Sequence, residues 1–471
     1  MNPLSLARIA QLVNGRLHGV DGDFPIDAVA TDTRKLDAAE VHALLFVALK
    51  GDNFDGHDHV ADAAARGARA ALVARPLDIA LPQIVVADPQ HALGALATAV
   101  QRARAATVVA ITGSNGKTSV KQLVAAILSR HAPTTFNPGN FNNEIGLPLA
   151  VLDAPENAVF AVYEMGAGKP GDIAYLTAIA QPRIALVNNI APAHMERMGS
   201  LLGIADTKAA IYDALPADGT AVINADDAFA PFFAQRAHGR RLLRFGIEAT
   251  ADVSARDVRL DEAGARFRLV TPAGEADVTL PLPGRHNVRN ALAATAVALA
   301  AGVPLATIVA ALDSAEAVAG RLVRHTLAEG AVLIDDSYNA NPGSLNAAID
   351  TLAATQGERW LVLGDMRELG TDGAAMHAQA GVRAKSAGIT RLYAVGALSA
   401  HAADSFGDGA RHFDSHAALI AALASDLSVA SLSPIPNSQS PITALIKGSR
   451  GSAMDRVVTA LRTTEGTGHA A

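Results

Sequence analysis

Residues 106–118 limit the fold of this chain more than any other stretch. ATVVAI at 106–111 is a β-branched run of the kind buried in a parallel sheet, and it leads through TGSNGKTS into a helical pattern over 120–129. Strand, glycine-rich turn and helix in that order belong to a layered α/β sheet. The turn is chemically specific as well. In Gly113-Ser114-Asn115-Gly116-Lys117-Thr118-Ser119 the glycines let backbone N–H groups turn inward around phosphate oxygens, and the helix N-terminus adds partial positive charge. Lys117 can reach the β- and γ-phosphates of a nucleotide, and the Thr118 hydroxyl can ligate Mg²⁺. The full phosphate-loop pattern has glycine at position 111, where this chain has Ile111, so the loop is a shortened variant. A Gly-Asn turn that merely precedes Lys-Thr is the alternative, and the flanking strand and helix favour phosphate binding.

Further buried-strand runs follow at 158–163 (AVFAVY), 184–187 (IALV) and 220–223 (TAVI), and this β–α alternation predicts a parallel sheet. Over 251–283 the period switches to two, which predicts antiparallel strands appended to it. A second doubly wound unit begins near Gly320, with strands at 331–335, 360–363, 392–395 and 442–446. The first hundred residues carry shorter strand runs at 44–49, 71–74 and 84–88 and a helical stretch over 91–104. A length of 471 residues suits about three domains. We expect a small α/β domain over 1–104, a central parallel-sheet, ATPase-like domain over 105–319 and a Rossmann-like domain over 320–471. The Ser/Pro-rich stretch 431–441 reads as a surface loop.

Composition narrows the function classes. Formal charge is 39 − 46 = −7, with both signs spread along the chain, so a nucleic-acid partner is not expected. There is no cysteine, which removes disulfides, thiolate zinc sites and cysteine nucleophiles and fits a reducing compartment. Residues 1–15 fit an amphipathic helix rather than a signal peptide. The uncharged stretch 291–312 is broken by Gly302 and Pro304, so two packed helices are expected there, not an integral membrane segment. A soluble cytoplasmic monomer is the default.

Several polar residues stand where ligands gather in such folds. Glu164 ends a strand beside the phosphate loop and could bind Mg²⁺; a solvated strand-end glutamate is the alternative. His194 follows the run 184–190 near the carboxyl edge of the sheet, although a lone loop histidine is more often just polar. Lys208 in ADTKAAIY reads, from the residues alone, as an ordinary surface lysine of a helix. Asn287 and Asn290 share a helix face and could hydrogen-bond a base; capping by Asn287 is equally compatible. Asp335-Asp336-Ser337-Tyr338-Asn339-Ala340-Asn341-Pro342 closes a buried strand with a density of polar groups that favours a site over an Asx-turn. GDNFDGHDH at 51–59 does not match a calcium-loop template and is not assigned a metal.

Taken together, TGSNGKTS, Glu164, His194, Lys208, HNVRN at 286–290, Gly320-Arg321 and DDSYNANP stand in the order found in the Mur ligase family, which the chain resembles along essentially its whole length. These are ATP-dependent amide-bond-forming enzymes of peptidoglycan precursor synthesis. The resemblance implies three domains that bind, in order, a UDP-sugar substrate, ATP and the incoming amine. Asp32-Thr33-Arg34, FDGH at 54–57, NPGNFNNEIGLPL at 137–149, DDSYNANP, LGDMRELG at 363–370 and KGSR at 447–450 resemble the family member that adds D-alanyl-D-alanine to UDP-N-acetylmuramoyl-tripeptide through an acyl phosphate.

The same resemblance implies roles. Lys117 would hold the phosphates, Thr118 and Glu164 one Mg²⁺, and His194 with a carbamylated Lys208 a second. Asn287 and Asn290 would face the adenine, Asp336 the ribose and Arg321 the γ-phosphate. Asp32, Arg34, Asn140, Asn142 and Asn143 would line the UDP-sugar and peptide path, and Thr33, Tyr338 and Asn341 would also bind substrate. The chain departs from the family at Ala209-Ala210-Ile211, where Gly-Glu-Ile is usual, and at His42-Ala43-Leu44, where a Gly-Asp turn is usual. A folate polyglutamate or diaminopimelate-adding ligase and a nucleotide-driven switch are the rival readings.

Overall fold

The computed structural model describes residues 1–36, 43–192, 195–327, 330–432 and 442–463. His42, and residues 433–441 of the Ser/Pro-rich stretch, lie outside the described residues. Among the described residues the chain is α/β and forms three large sheets. The central one has nine strands, ordered in space Gly274–Leu280, Ala265–Thr271, Val253–Leu260, Arg241–Gly246, Thr220–Asn224, Ile184–Val187, Thr107–Thr112, Phe160–Glu164 and Thr134–Phe136. From Thr134–Phe136 to Val253–Leu260 all neighbours run parallel, and the two pairs among Val253–Leu260, Ala265–Thr271 and Gly274–Leu280 are antiparallel. The switch of period after residue 251 thus marks where the sheet stops needing crossover helices.

Register places the chemistry. Glu164 pairs with Ile111, and Val187 with Thr112, so both flanking strands end level with the phosphate loop. The C-terminal sheet has six strands, in the order Val323–Thr326, Val332–Asp336, Thr443–Lys447, Arg359–Gly364, Arg391–Val395 and Ala410–Phe413. There Asp336 and Lys447 are direct parallel neighbours. The N-terminal part holds a five-stranded sheet, and a two-stranded one pairs Leu4–Ser5 with Pro25–Ile26.

Packing follows from the scarcity of aromatic residues. The stretch 291–312 forms two helices, Arg285–Ala300 and Leu305–Leu312, with Gly302 at a positive φ of 81° between them. No helix among the described residues is long and apolar enough to cross a membrane. Helix Arg285–Ala300 buries Ala291, Ala293, Ala294, Ala296 and Ala298 and shares a core with Val120, Leu123, Val124 and Ile127 of helix Lys117–Ser129. Small side chains let the two backbones approach closely, so the helix that starts at the phosphate loop is seated on the helix that carries Asn287 and Asn290.

Candidate active site

The phosphate loop has the backbone its glycines allow. Gly113 and Gly116 have φ of 148° and 76°. A Cβ on Gly116 would come within 2.6 Å of both Asn188 Nδ2 and Asn290 Oδ1, so any side chain there meets strain and collision together. Helix Lys117–Ser129 begins at once, and its first N–H groups face the loop. Neighbouring strand ends hold the loop in place. Asn115 N–H donates to Asn189 Oδ1 (2.8 Å), Asn188 Nδ2 donates to Asn115 O (2.9 Å), and Ser114 Oγ exchanges hydrogen bonds with the main chain of Ala191 (3.0 Å each). Lys117 folds back, donating from Nζ to Gly113 O at 2.8 Å. Burial draws its pKa down, Glu164 opposes this, and Arg321 adds to the fall.

Two cavities meet at this loop. The larger, about 760 Å³, has Lys117, Thr118 and Glu164 on one wall and Arg321, Tyr338 and Asn341 on the other. Asn140, Asn142 and Asn143 also line it. The smaller, about 330 Å³, brings together Ser119, Asn287, Asn290, Asp336 and Lys447, with Arg321 shared between the two. The structure therefore gathers residues more than 300 positions apart in sequence around one loop. Asn341 ties the walls: its Oδ1 accepts from Ser344 N–H to cap helix Pro342–Ala353, and its Nδ2 donates to Asn115 Oδ1 at 2.7 Å. The Arg321 guanidinium lies 4.4 Å from the Tyr338 ring centroid, and its Nε is buried without a hydrogen-bond partner.

Glu164 is not a solvated strand end. It is 3% exposed, and Oε1 accepts from Asn142 Nδ2 at 2.8 Å. Oε2 is buried without any hydrogen-bond partner, 3.6 Å from Lys121 Nζ. An anionic oxygen left open beside a phosphate loop and Thr118 fits a divalent cation. Lys208 corrects the reading made from the residues alone: it is 2% exposed, within helix Leu201–Asp213. Burial, and then the charge of Lys117, hold its pKa well below the ordinary lysine range. His194 lies outside the described residues. Among the described residues no cluster of three or more His, Asp or Glu side chains could hold a metal.

Asn287 does not cap its helix, because Gly284 occupies that position. Its Nδ2 donates to Pro283 O (2.8 Å), and its Oδ1 accepts from Asn290 Nδ2 (3.1 Å), so the two amides form one buried pair. Asp336 is buried, with its carboxylate 2.5 Å from Lys447 Nζ. Asn143 Oδ1 accepts from Gly146 N–H at the start of helix Gly146–Asp153. Asp32, Thr33 and Arg34 line neither cavity: Asp32 caps the turn Thr33–Lys35 and pairs with Arg34 at 2.9 Å. At 51–59, Asp55 and buried His57 form a structural contact, with His57 Nε2 accepting from Ala74 N–H.

Sequence reasoning missed Lys121, Asn188 and Asn189 as members of the site, and gave no role to Asn137 and Lys447, which open the strings at 137–149 and 447–450. The paired asparagines directly follow the strand Ile184–Val187, so the strand-end rule applied to Glu164 would have found them.

Comparison with known proteins agrees with this geometry. The Mur ligase middle domain matches residues 111–298, and the Mur ligase, glutamate ligase domain matches 320–431. A UDP-N-acetylmuramoyl-tripeptide--D-alanyl-D-alanine ligase of Escherichia coli K12 is 45% identical over 463 residues, 98% of this chain and 99% of that one. The crystal structure of MurF from Acinetobacter baumannii matches with a TM-score of 0.91 at 34% identity, over 98% of this chain and 99% of that one. That of MurF ligase from Thermotoga maritima in complex with ADP matches with a TM-score of 0.80 at 26% identity, over 93% and 97%. Full-length identity at that level, with two family models spanning the phosphate loop and the opposite wall, means that the chain belongs to the Mur ligase family.

Proposed function

We propose that the chain is an ATP-dependent ligase that adds D-alanyl-D-alanine to UDP-N-acetylmuramoyl-tripeptide, giving the pentapeptide precursor of peptidoglycan with release of ADP and phosphate. The observation that carries this is the 760 Å³ cavity, which sets the phosphate loop and Glu164 across from Arg321, Tyr338 and Asn341. An amide ligase needs that layout, with a phosphoryl donor on one wall and an amine on the other. The full-length likeness to the E. coli ligase supports the choice of substrates. A UDP-linked substrate and a cysteine-free chain suit the cytoplasm.

In this reading the terminal carboxylate of the tripeptide attacks the γ-phosphorus of ATP and ADP leaves. The free amine of D-alanyl-D-alanine then attacks the acyl phosphate, loses a proton, and phosphate departs from the tetrahedral intermediate. Lys117 would exchange its bond to Gly113 O for phosphate oxygens, and Arg321 would meet the γ-phosphate from the opposite wall. Asn287 and Asn290 would orient the adenine, and Asp336 would accept from a ribose hydroxyl. Asn140, Asn142, Asn143, Tyr338 and Asn341 would guide the peptide substrates, with Asp32, Thr33 and Arg34 holding the UDP-sugar end within residues 1–104. Thr118 and Glu164 would hold one Mg²⁺, and His194 with Lys208 a second. Bound Mg²⁺ supplies positive charge that lets an anionic carboxylate approach an anionic phosphate. Lys208 suits carbamylation because its buried amine is held towards the neutral form: the amine adds to CO₂, loses a proton and becomes anionic.

The test is phosphate release from ATP and Mg²⁺ with UDP-N-acetylmuramoyl-tripeptide, with and without D-alanyl-D-alanine, and mass analysis of the product. Release that needs both substrates and yields the pentapeptide is the expected result. Turnover with neither, or strict dependence on another amine, would sink it.

A further inference from the structure

Lys121 has no part in the chemistry above, yet it is 0% exposed and stands four residues after Lys117 on helix Lys117–Ser129. Its Nζ donates to Asn137 O at 2.8 Å and to Gly139 O at 3.3 Å, and lies 3.6 Å from Glu164 Oε2. Two main-chain oxygens take its hydrogen bonds and the carboxylate stands at ion-pair distance. The segment it grips also grips Glu164. Asn137 Oδ1 accepts from Glu164 N–H (2.9 Å), Asn137 Nδ2 donates to Glu164 O (2.9 Å), and Asn142 Nδ2 donates to Glu164 Oε1. Lys121 is the bolt between the phosphate-loop helix, the 137–143 segment and the strand that ends in Glu164.

Its charge matters as much as its bonds. Four carboxylates line this cavity (Glu144, Glu164, Asp172 and Glu368) against five cations (Lys117, Lys169, Arg197, Arg321 and Arg450), and Lys121 behind Glu164 adds a sixth, so cations outnumber anions before any ligand arrives. A lone divalent cation approaching Glu164 Oε2 therefore meets a net positive surrounding. A nucleotide reverses that sign with its phosphates.

We infer that Lys121 is a positioning residue that makes divalent-cation binding at Glu164 conditional on the nucleotide, fixing the carboxylate in place while its charge keeps the cation out until phosphates are present. The inference rests on Glu164 as a metal ligand. It predicts opposite shifts for two ligands, which a merely structural lysine would not give.

The experiment uses the full chain freed of nucleotide, with Mn²⁺ alone titrated by electron paramagnetic resonance and ADP in EDTA titrated by calorimetry. Lys121→Gln keeps a hydrogen-bond donor and removes the charge. It is expected to bind Mn²⁺ at least about tenfold more tightly than the unmodified protein and ADP at least about threefold more weakly. Lys121→Arg is expected to restore both. Both ligands weakened together, or neither changed, overturns the inference. Should Lys121→Gln not fold, the unmodified protein decides. Micromolar Mn²⁺ binding without nucleotide that disappears in Glu164→Gln overturns the inference; with weaker binding, Lys121→Met, which also removes the charge, decides by the same opposite shifts. If Glu164→Gln binds Mn²⁺ with ADP as tightly as the unmodified protein does, the metal role of Glu164 fails first and takes the inference with it.

Discussion

Two buried lysine–carboxylate pairs stand at the carboxyl ends of the two largest sheets, and they are built differently. On the C-terminal sheet, Lys447 closes on Asp336 at 2.5 Å from the neighbouring strand and donates a second bond to Asn339 O at 2.9 Å. On the central sheet, Lys121 reaches Glu164 from a helix and stops at 3.6 Å, spending its donors on main-chain carbonyls. The closed pair makes Asp336 a fixed acceptor. The open pair leaves Glu164 Oε2 without a hydrogen-bond partner. Buried charge always requires a partner, and the site differs from its surroundings in where that partner is withheld.

The largest effect should come from Glu164→Gln, which keeps the shape and loses the charge of the open pair. Phosphate release with both substrates is expected to fall about a thousandfold while the melting temperature moves by only a few degrees (~4 °C or less). A loss under about tenfold would erase the distinction between the pairs. Next is Lys447→Met, which strands the Asp336 carboxylate and should lower stability by about 3 kcal/mol, read as a lower urea midpoint. Adding Asp336→Asn should recover much of that loss; failure to recover would mean the pair is not the cause. Asn341→Ala removes both a helix cap and the amide contact to Asn115, so we expect about 1 kcal/mol of destabilisation and a raised KM for ATP.

The smallest effect is pH-dependent. Burial first, and then the charges of Lys447 and Arg289, hold His286 down at about 4 from an ordinary 6.5. The unfolded chain thus binds more protons between those values. Stability is fully present above pH 6.5 and is lost as pH falls towards 4, with ~0.5 kcal/mol going between pH 7 and 6. Denaturant titrations of His286→Gln should show a flatter acid side; an unchanged slope would detach His286 from the closed pair's field.

Local signals were legible and distant ones were not. The phosphate loop, the strands Ile184–Val187 and Thr220–Asn224 and the antiparallel trio after residue 251 all show in short windows, because β-branched runs and period two are properties of neighbouring residues. The strand Arg241–Gly246 escaped notice because two arginines interrupt its apolar residues, and Thr134–Phe136 because it is three residues long. Lys208 and Lys121 look like surface lysines in any window. What sets them apart comes from other elements: the charges of Lys117 and Asp172 act on Lys208, and the 137–139 segment and Glu164 hold Lys121. The roles of Asp32, Thr33 and Arg34 rest on family resemblance, and these residues stand outside the two cavities.

The alanine face of helix Arg285–Ala300 acts as a ruler. Because that helix offers mostly methyl groups to the one after the phosphate loop, few rotatable side chains stand between the two, and Asn290 Oδ1 is held close against Gly116. A fixed gauge of that kind cannot stretch to suit a longer or shorter ligand. Whatever spans it is selected by the groups it offers at each end, and a bulkier residue on the alanine face would recalibrate the span instead of filling a void.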